Sequence, residues 1–155
     1  MSICVVGGLG YVGLVSSACL AELGHRVTVG DTDRDRFALI QQGQLPFYEP
    51  GLDELLARHR ASGRLRFAPT VADAVQGARM VFIAVGTPAR HDGETDLSQV
   101  IAASEELAGV LVDHRIIVVK STVPLGTHQA LKRVLEAHGR VEGRDYDLVA
   151  LPEFL

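Results

Sequence analysis

The sequence predicts an α/β domain built on one doubly wound, parallel sheet of six strands, and three observations lead to it. Short apolar runs alternate with amphipathic stretches of helical length along the whole chain, the pattern of repeated strand–helix–strand units. Two of the runs, Val81-Phe82-Ile83-Ala84-Val85 and Ile116-Ile117-Val118-Val119, are continuously apolar, as in strands covered by helices on both faces. Four of the 16 glycines fall between Gly7 and Gly13, directly after the first apolar run, which marks a tight strand-to-helix turn.

Taken in order, the first strand is expected at residues 3–6 and the first helix at 12–23, with the glycines between them. A second strand at 26–30 is followed by helices at 34–42 and 51–61, and a third strand at 64–67 by a short helix at 71–76. The fourth strand, 80–85, leads to a helix at 97–111; the fifth, 116–120, leads to a helix at 125–138; the sixth covers 146–150. Thr70-x-x-Asp73 and Asp96-x-x-Gln99 resemble capping boxes, in which the first side chain satisfies an orphan amide of the opening turn. Gly24, Gly77 and Gly139 stand where helices should stop. With right-handed crossovers the strand order is expected to be 3-2-1-4-5-6, a Rossmann-type sheet. No linker or repeat interrupts the pattern, so residues 1–155 are read as a single domain.

The 155 residues are 47% hydrophobic, enough to bury a sizeable core. A net charge of −4 gives no general attraction to nucleic acid or to an anionic membrane. Residues 3–23 are apolar enough to mimic a leader or a membrane span, but no basic stretch precedes them and glycines break the run. The expectation is a soluble, cytoplasmic protein. Cys4 and Cys19 have no paired spacing, and both are expected to be small buried core residues. The six histidines lack ligand spacing, so no metal is assigned.

The first turn carries chemistry. Gly8-Leu9-Gly10-Tyr11-Val12-Gly13 is a G-x-G-x-x-G element between an apolar strand and a helix, and Asp31 follows 21 residues after Gly10 at the end of the second strand. Glycines let backbone amides approach a pyrophosphate, and the helix N-terminus adds partial positive charge. Asp31 would accept hydrogen bonds from ribose hydroxyls and repel a 2′-phosphate, which favours NAD over NADP; Arg34 and Arg36 nearby pull the other way. The competing reading is a glycine-rich turn that binds nothing.

Five segments carry a resemblance to a known family over essentially the whole chain: Gly10-Tyr11-Val12-Gly13-Leu14-Val15, Pro46-Phe47-Tyr48-Glu49-Pro50-Gly51-Leu52, Ala84-Val85-Gly86-Thr87-Pro88, Lys120-Ser121-Thr122-Val123-Pro124 and Pro152-Glu153-Phe154-Leu155. The sequence resembles the UDP-glucose/GDP-mannose dehydrogenase family. Its Tyr-Glu-Pro-Gly-Leu element is similar to the UDP-glucose and GDP-mannose branches and unlike the N-acetyl-mannosamine branch. The resemblance implies oxidation of a sugar nucleotide, UDP-glucose first, from C6 alcohol to carboxylate with two NAD, in a homo-oligomeric parent enzyme. It implies cofactor contacts at Gly8, Gly10, Tyr11, Val12, Gly13, Asp31, Arg36, Gly86, Thr87 and Thr122, with Thr122 and Glu153 as catalytic candidates. Read from the residues alone, Thr87 also fits a simple turn cap, Ser121 or Thr122 a cap for the helix near Pro124, Arg36 a solvated helix position, and Glu153 a solvated terminus.

The family's nucleophilic cysteine and its assisting lysine lie downstream of the Pro-Glu-Phe-Leu motif, and neither Cys4 nor Cys19 matches the nucleophile. The chain is therefore expected to be the N-terminal cofactor domain of a larger dehydrogenase, without the central and C-terminal regions and inactive alone. A stand-alone NAD-binding module is the alternative. Two local departures from the family pattern are an extra residue in Val6-Gly7-Gly8-Leu9-Gly10, and Ala150-Leu151 where Ser-Asn is usual.

Overall fold

Among the described residues six strands and six helices follow one another, with two helices between the second and third strands: β1 (Ser2–Val6), α1 (Tyr11–Glu22), β2 (Arg26–Gly30), α2 (Arg34–Gln41), α3 (Leu52–Ala61), β3 (Leu65–Ala68), α4 (Val71–Val75), β4 (Met80–Ile83), α5 (Ser98–Val110), β5 (Arg115–Val119), α6 (Thr127–Ala137) and β6 (Tyr146–Ala150). This computed structural model describes residues 1–154; Leu155, the end of the Pro-Glu-Phe-Leu segment, lies outside the described residues. The strands form one sheet in the order β3-β2-β1-β4-β5-β6, all parallel. That is the expected order, and every expected strand and helix is present with its ends moved by at most two residues.

The pleat sorts the apolar runs into two cores. Cys4, Val6, Val81, Ile83 and Ile117 face a core closed by α4, α5 and α6. Ile3, Val5, Val27, Val29 and Phe82 face the opposite core, closed by α1, α2 and α3. Leu14, Leu65, Leu107 and Leu131 are all at most 2% exposed, and each contributes roughly 1.5–3 kcal/mol by leaving water. Continuously apolar strands thus mean two covered faces.

Helix ends follow local chemistry. The Thr70 hydroxyl accepts the Asp73 amide at 3.1 Å, as the first capping pattern requires. The second differs: Asp96 accepts the amide of Ser98, at 2.9 Å, rather than that of Gln99. Gly24, Gly77 and Gly139 all have positive φ just beyond helix ends, the left-handed stop that glycine adopts without a side-chain clash. α6 starts at Thr127, two residues later than expected, because Gly126 at φ 88° breaks the helical path before it.

The expectation for the two cysteines is half overturned. Cys4 is fully buried, but Cys19 is exposed. α1 buries Gly13, Leu14, Ser17, Ala18 and Ala21, so position 19 turns to the outer face. The helix is apolar nearly all round, and its composition hid which face points outward. Beside it, buried His59 meets the Glu22 carboxylate at 2.6 Å and ties α3 to α1. No helix among the described residues is long and apolar enough to cross a membrane.

Candidate functional site: a cleft at the β1–β4 switch point

A cleft of about 950 Å³ opens at the carboxyl ends of the strands, where helices depart to opposite sides of the sheet beyond β1 and β4. This is the place where open α/β sheets receive ligands. Its size lies within the range of small-molecule sites, about 300–1,000 Å³.

The turn after β1 forms one wall. Gly7 turns at φ 68°, and a Cβ there would sit 2.4 Å from a Val85 side-chain carbon, so the turn packs tightly on the end of β4. Its amide donates to the Gly30 carbonyl at 2.9 Å. Gly8 and Gly13 are packing positions: a Cβ on Gly13 would lie 2.5 Å from the Gly8 Cα, and one on Gly8 would lie 2.6 Å from Val29. Both are buried beneath the cleft, whereas Gly7, Gly10, Tyr11 and Val12 line it.

At Gly10 the space is open; a Cβ there would find its nearest atoms 3.7 and 4.0 Å away. The first amide of α1 that finds a backbone acceptor is Leu14, bonded to Gly10 at 2.9 Å; those of Tyr11, Val12 and Gly13 have none among the described residues. No side chain caps this helix, and its first turn holds no acidic residue. Free amides, an open approach and a positive helix end suit a pyrophosphate. The site fits a dinucleotide.

Asp31 lines the same cleft, and both its oxygens are engaged by backbone. One accepts the Leu9 amide at 2.9 Å, the other the Asp33 amide at 2.9 Å. A carboxylate has about four acceptor positions, so capacity for hydroxyls remains. Arg36 also lines the cleft, held at 3.3 Å by Asp33 from the same helix start. Tyr11 donates its hydroxyl to Glu49 at 2.7 Å, which raises the phenol above the usual tyrosine range.

The opposite wall comes from β4, β5 and the segment after β6. The Thr87 hydroxyl donates to the Thr122 carbonyl at 3.0 Å, a link between strand ends rather than a local turn cap. Ser121 donates to the Val85 carbonyl at 2.7 Å, and Thr122 donates to the Glu153 carbonyl. Neither hydroxyl caps α6, whose N-cap is Gly126 without a side-chain bond. Glu153 is likewise placed: its amide donates to the Lys120 carbonyl at 3.1 Å, and its carboxylate pairs with the Lys120 ammonium. That bond, with the ammonium's charge, holds the Glu153 carboxyl below the ordinary glutamate value.

Gly86 and Thr87 line the cleft, as do Thr122 and Glu153. Gly7 and Lys120 also line the cleft without having been assigned to a site from sequence, and so do Asp33, Gln99 and Glu106. A signal for Lys120 existed: it is one of only two lysines in the chain, standing directly after an unbroken apolar strand. No cluster of three or more potential metal-ligating side chains occurs among the described residues.

A doubly wound sheet with an uncapped glycine turn at its switch point defines a dinucleotide-binding domain. The NAD binding domain model of the UDP-glucose/GDP-mannose dehydrogenase family matches residues 1–155. The chain is 46% identical over 149 residues to a UDP-glucose 6-dehydrogenase of Rhizobium meliloti, covering 96% of this chain and 34% of that one. It is 37% identical over 153 residues to a GDP-mannose 6-dehydrogenase of Azotobacter vinelandii, covering 96% and 35%. Among solved structures, GDP-mannose dehydrogenase from Pseudomonas aeruginosa, in a ternary complex, matches with TM-score 0.92 and 35% identity over 100% of this chain and 36% of its own. UDP-glucose dehydrogenase from Pyrobaculum islandicum matches with TM-score 0.90 and 39% identity, over 99% and 36%.

The chain belongs to the UDP-glucose/GDP-mannose dehydrogenase family, as its NAD binding domain, and its cofactor is NAD. It spans about a third of the length of these relatives.

Proposed function

We propose that this domain serves a dehydrogenase that oxidises UDP-glucose to UDP-glucuronate with two NAD. The observation that carries the substrate choice is the identity to UDP-glucose 6-dehydrogenases, 38–46%, against 36–37% to GDP-mannose 6-dehydrogenases. GDP-mannose is the second reading, favoured by the TM-score of 0.92 to a GDP-mannose dehydrogenase. We also take residues 1–155 to be one domain of a longer, homo-oligomeric chain that supplies the rest of the sugar site.

In this reading the amides of Tyr11 and Val12 hold the pyrophosphate, Gly10 leaves room for it, and Gly8 and Gly13 hold the helix against the sheet. Asp31 takes the adenosine ribose hydroxyls, with Arg36 beside it. Gly86, Thr87 and Thr122 form the wall toward the nicotinamide. Bound NAD supplies a hydride acceptor. Glu153 and Thr122 stand at the strand ends, where the hydroxyl orients water and the carboxylate takes up, through that water, the proton released from the sugar alcohol.

The test is NADH formation by the parent protein carrying this domain, with UDP-glucose and with GDP-mannose as substrates. The expected result is two NADH per UDP-glucose and slower turnover of GDP-mannose. Preference for GDP-mannose would move the domain to the second reading, and no turnover of either would refute both.

A further inference from the structure

Glu153 enters the cleft already paired, and the partner is a strand-end lysine. The Lys120 side chain is 14% exposed and that of Glu153 36% exposed, so the contact lies partly out of water, where opposite charges attract more strongly than on an open surface.

The pair is not needed to dock the segment. Leu151 donates its amide to the Val119 carbonyl at 2.9 Å, and Glu153 donates its own to the Lys120 carbonyl at 3.1 Å. Thr122 closes a third bond to the Glu153 carbonyl. These three bonds extend the β5–β6 pairing past the end of the sheet and fix the backbone at 151–153 without any help from the ammonium. What the Lys120 side chain adds acts on the carboxylate.

We propose that Lys120 is a positioning residue for Glu153, holding its carboxylate fixed at the strand-end wall of the cleft. This rests on reading the cleft as the NAD site. The lowered Glu153 carboxyl agrees with it, since hydrogen bonding and charge from Lys120 are the leading causes. The other ionisable side chains that line the cleft, Tyr11, Asp31, Asp33, Arg36 and Glu106, are not among the groups that shift it. An ordinary glutamate is already an anion near neutrality, so what Lys120 adds is the place of that charge: the carboxylate is held at the strand-end wall as a substrate arrives.

The experiment follows the Glu153 carboxyl carbon by NMR through an acid titration of the 155-residue chain, in the wild type, Lys120→Met and Lys120→Arg. Assignment comes from Glu153→Gln, and amide spectra check that each variant is folded. The expected result is a Glu153 midpoint that rises toward the ordinary glutamate value of about 4.3 in Lys120→Met and returns to the wild-type value in Lys120→Arg. Should Lys120→Met fail to fold, Lys120→Gln, which keeps a hydrogen-bond donor and removes the charge, is titrated in its place, and the midpoint must rise. An unchanged midpoint in folded Lys120→Met, or in folded Lys120→Gln, overturns the proposal. NAD is titrated into the same wild-type sample: failure to bind would overturn the reading of the cleft, while the carboxyl titration still decides the role of Lys120.

Discussion

Asp31 accepts the amide of Leu9 at 2.9 Å, so the residue just beyond β2 also holds the turn that follows β1. Its other oxygen accepts the Asp33 amide at the start of α2. One carboxylate thus organises both the turn under the pyrophosphate position and the edge where a ribose is expected.

That double role shapes the choice of variant. Asp31→Ala would strip the turn of both acceptors, whereas Asp31→Asn removes the charge and keeps an oxygen for one of the two amides, at the loss of the other bond. Hydrogen bonds to charged groups contribute about 1.5–3 kcal/mol, so Asp31→Asn should weaken NAD binding by about tenfold or more. NADP binding should change less, since the charge that repels a 2′-phosphate is gone. Titration of both cofactors checks this; an unchanged ratio of affinities would remove Asp31 from the ribose site.

Gly10 and Gly13 should separate binding from folding. Gly10 has φ −74°, a value any residue adopts, and nothing lies closer than 3.7 Å to its Cβ position. Gly10→Val should therefore fold as the wild type does and lose NAD binding, because the branched side chain occupies the approach to the free amides. Gly13→Ala puts a methyl 2.5 Å from the Gly8 Cα and should cost about 1–3 kcal/mol through overpacking. Urea melts beside cofactor titrations distinguish the two; a destabilised Gly10→Val that still binds would reverse the assignment.

The two thiols should differ in reactivity. Burial pushes the Cys4 thiol up to about 12, and thiolate is the reactive form. Cys19 lies on the outer face of α1. A chromogenic disulfide reagent should modify one thiol in the native protein and two in denaturant. Two fast-reacting thiols in the folded state would mean that β1 is not sealed between its helices.

Asp145 gives a defined acid response. Bonds from the Arg144 guanidinium and the Val141 amide bring its carboxyl down to about 2. A folded value below the unfolded one, about 3.9, stabilises the protein fully above that range, and the contribution is lost as pH falls toward 2. Asp145→Asn should therefore be less stable than the wild type near neutrality, with the gap closing as pH falls through that window. Thermal melts at stepped pH test it, and a constant gap would contradict the linkage.

The sheet order was legible because periodicity and handedness leave few alternatives once six apolar runs are found. Element ends were less so. β4 stops at Ile83 rather than at residue 85, since Val85 turns away to serve Ser121, and no local signal in a continuous apolar run marks that exit. The glycine turn was legible as a pattern, but the division of labour within it was not. Gly8 and Gly13 pack while Gly7 and Gly10 face the cleft, and only the tertiary neighbours of each glycine decide this. The Lys120–Glu153 pair spans 33 residues of sequence and needed the β5–β6 pairing to bring its members together.

The central claim is that the cleft at the β1–β4 switch point binds NAD through the uncapped start of α1. Calorimetric titration of the 155-residue chain with NAD and with NADP tests it most directly. The account predicts saturable binding of NAD at one site per chain, tighter than that of NADP, and abolished by Gly10→Val in a folded protein. No saturable heat with NAD, or equal affinity for the two cofactors, would contradict it.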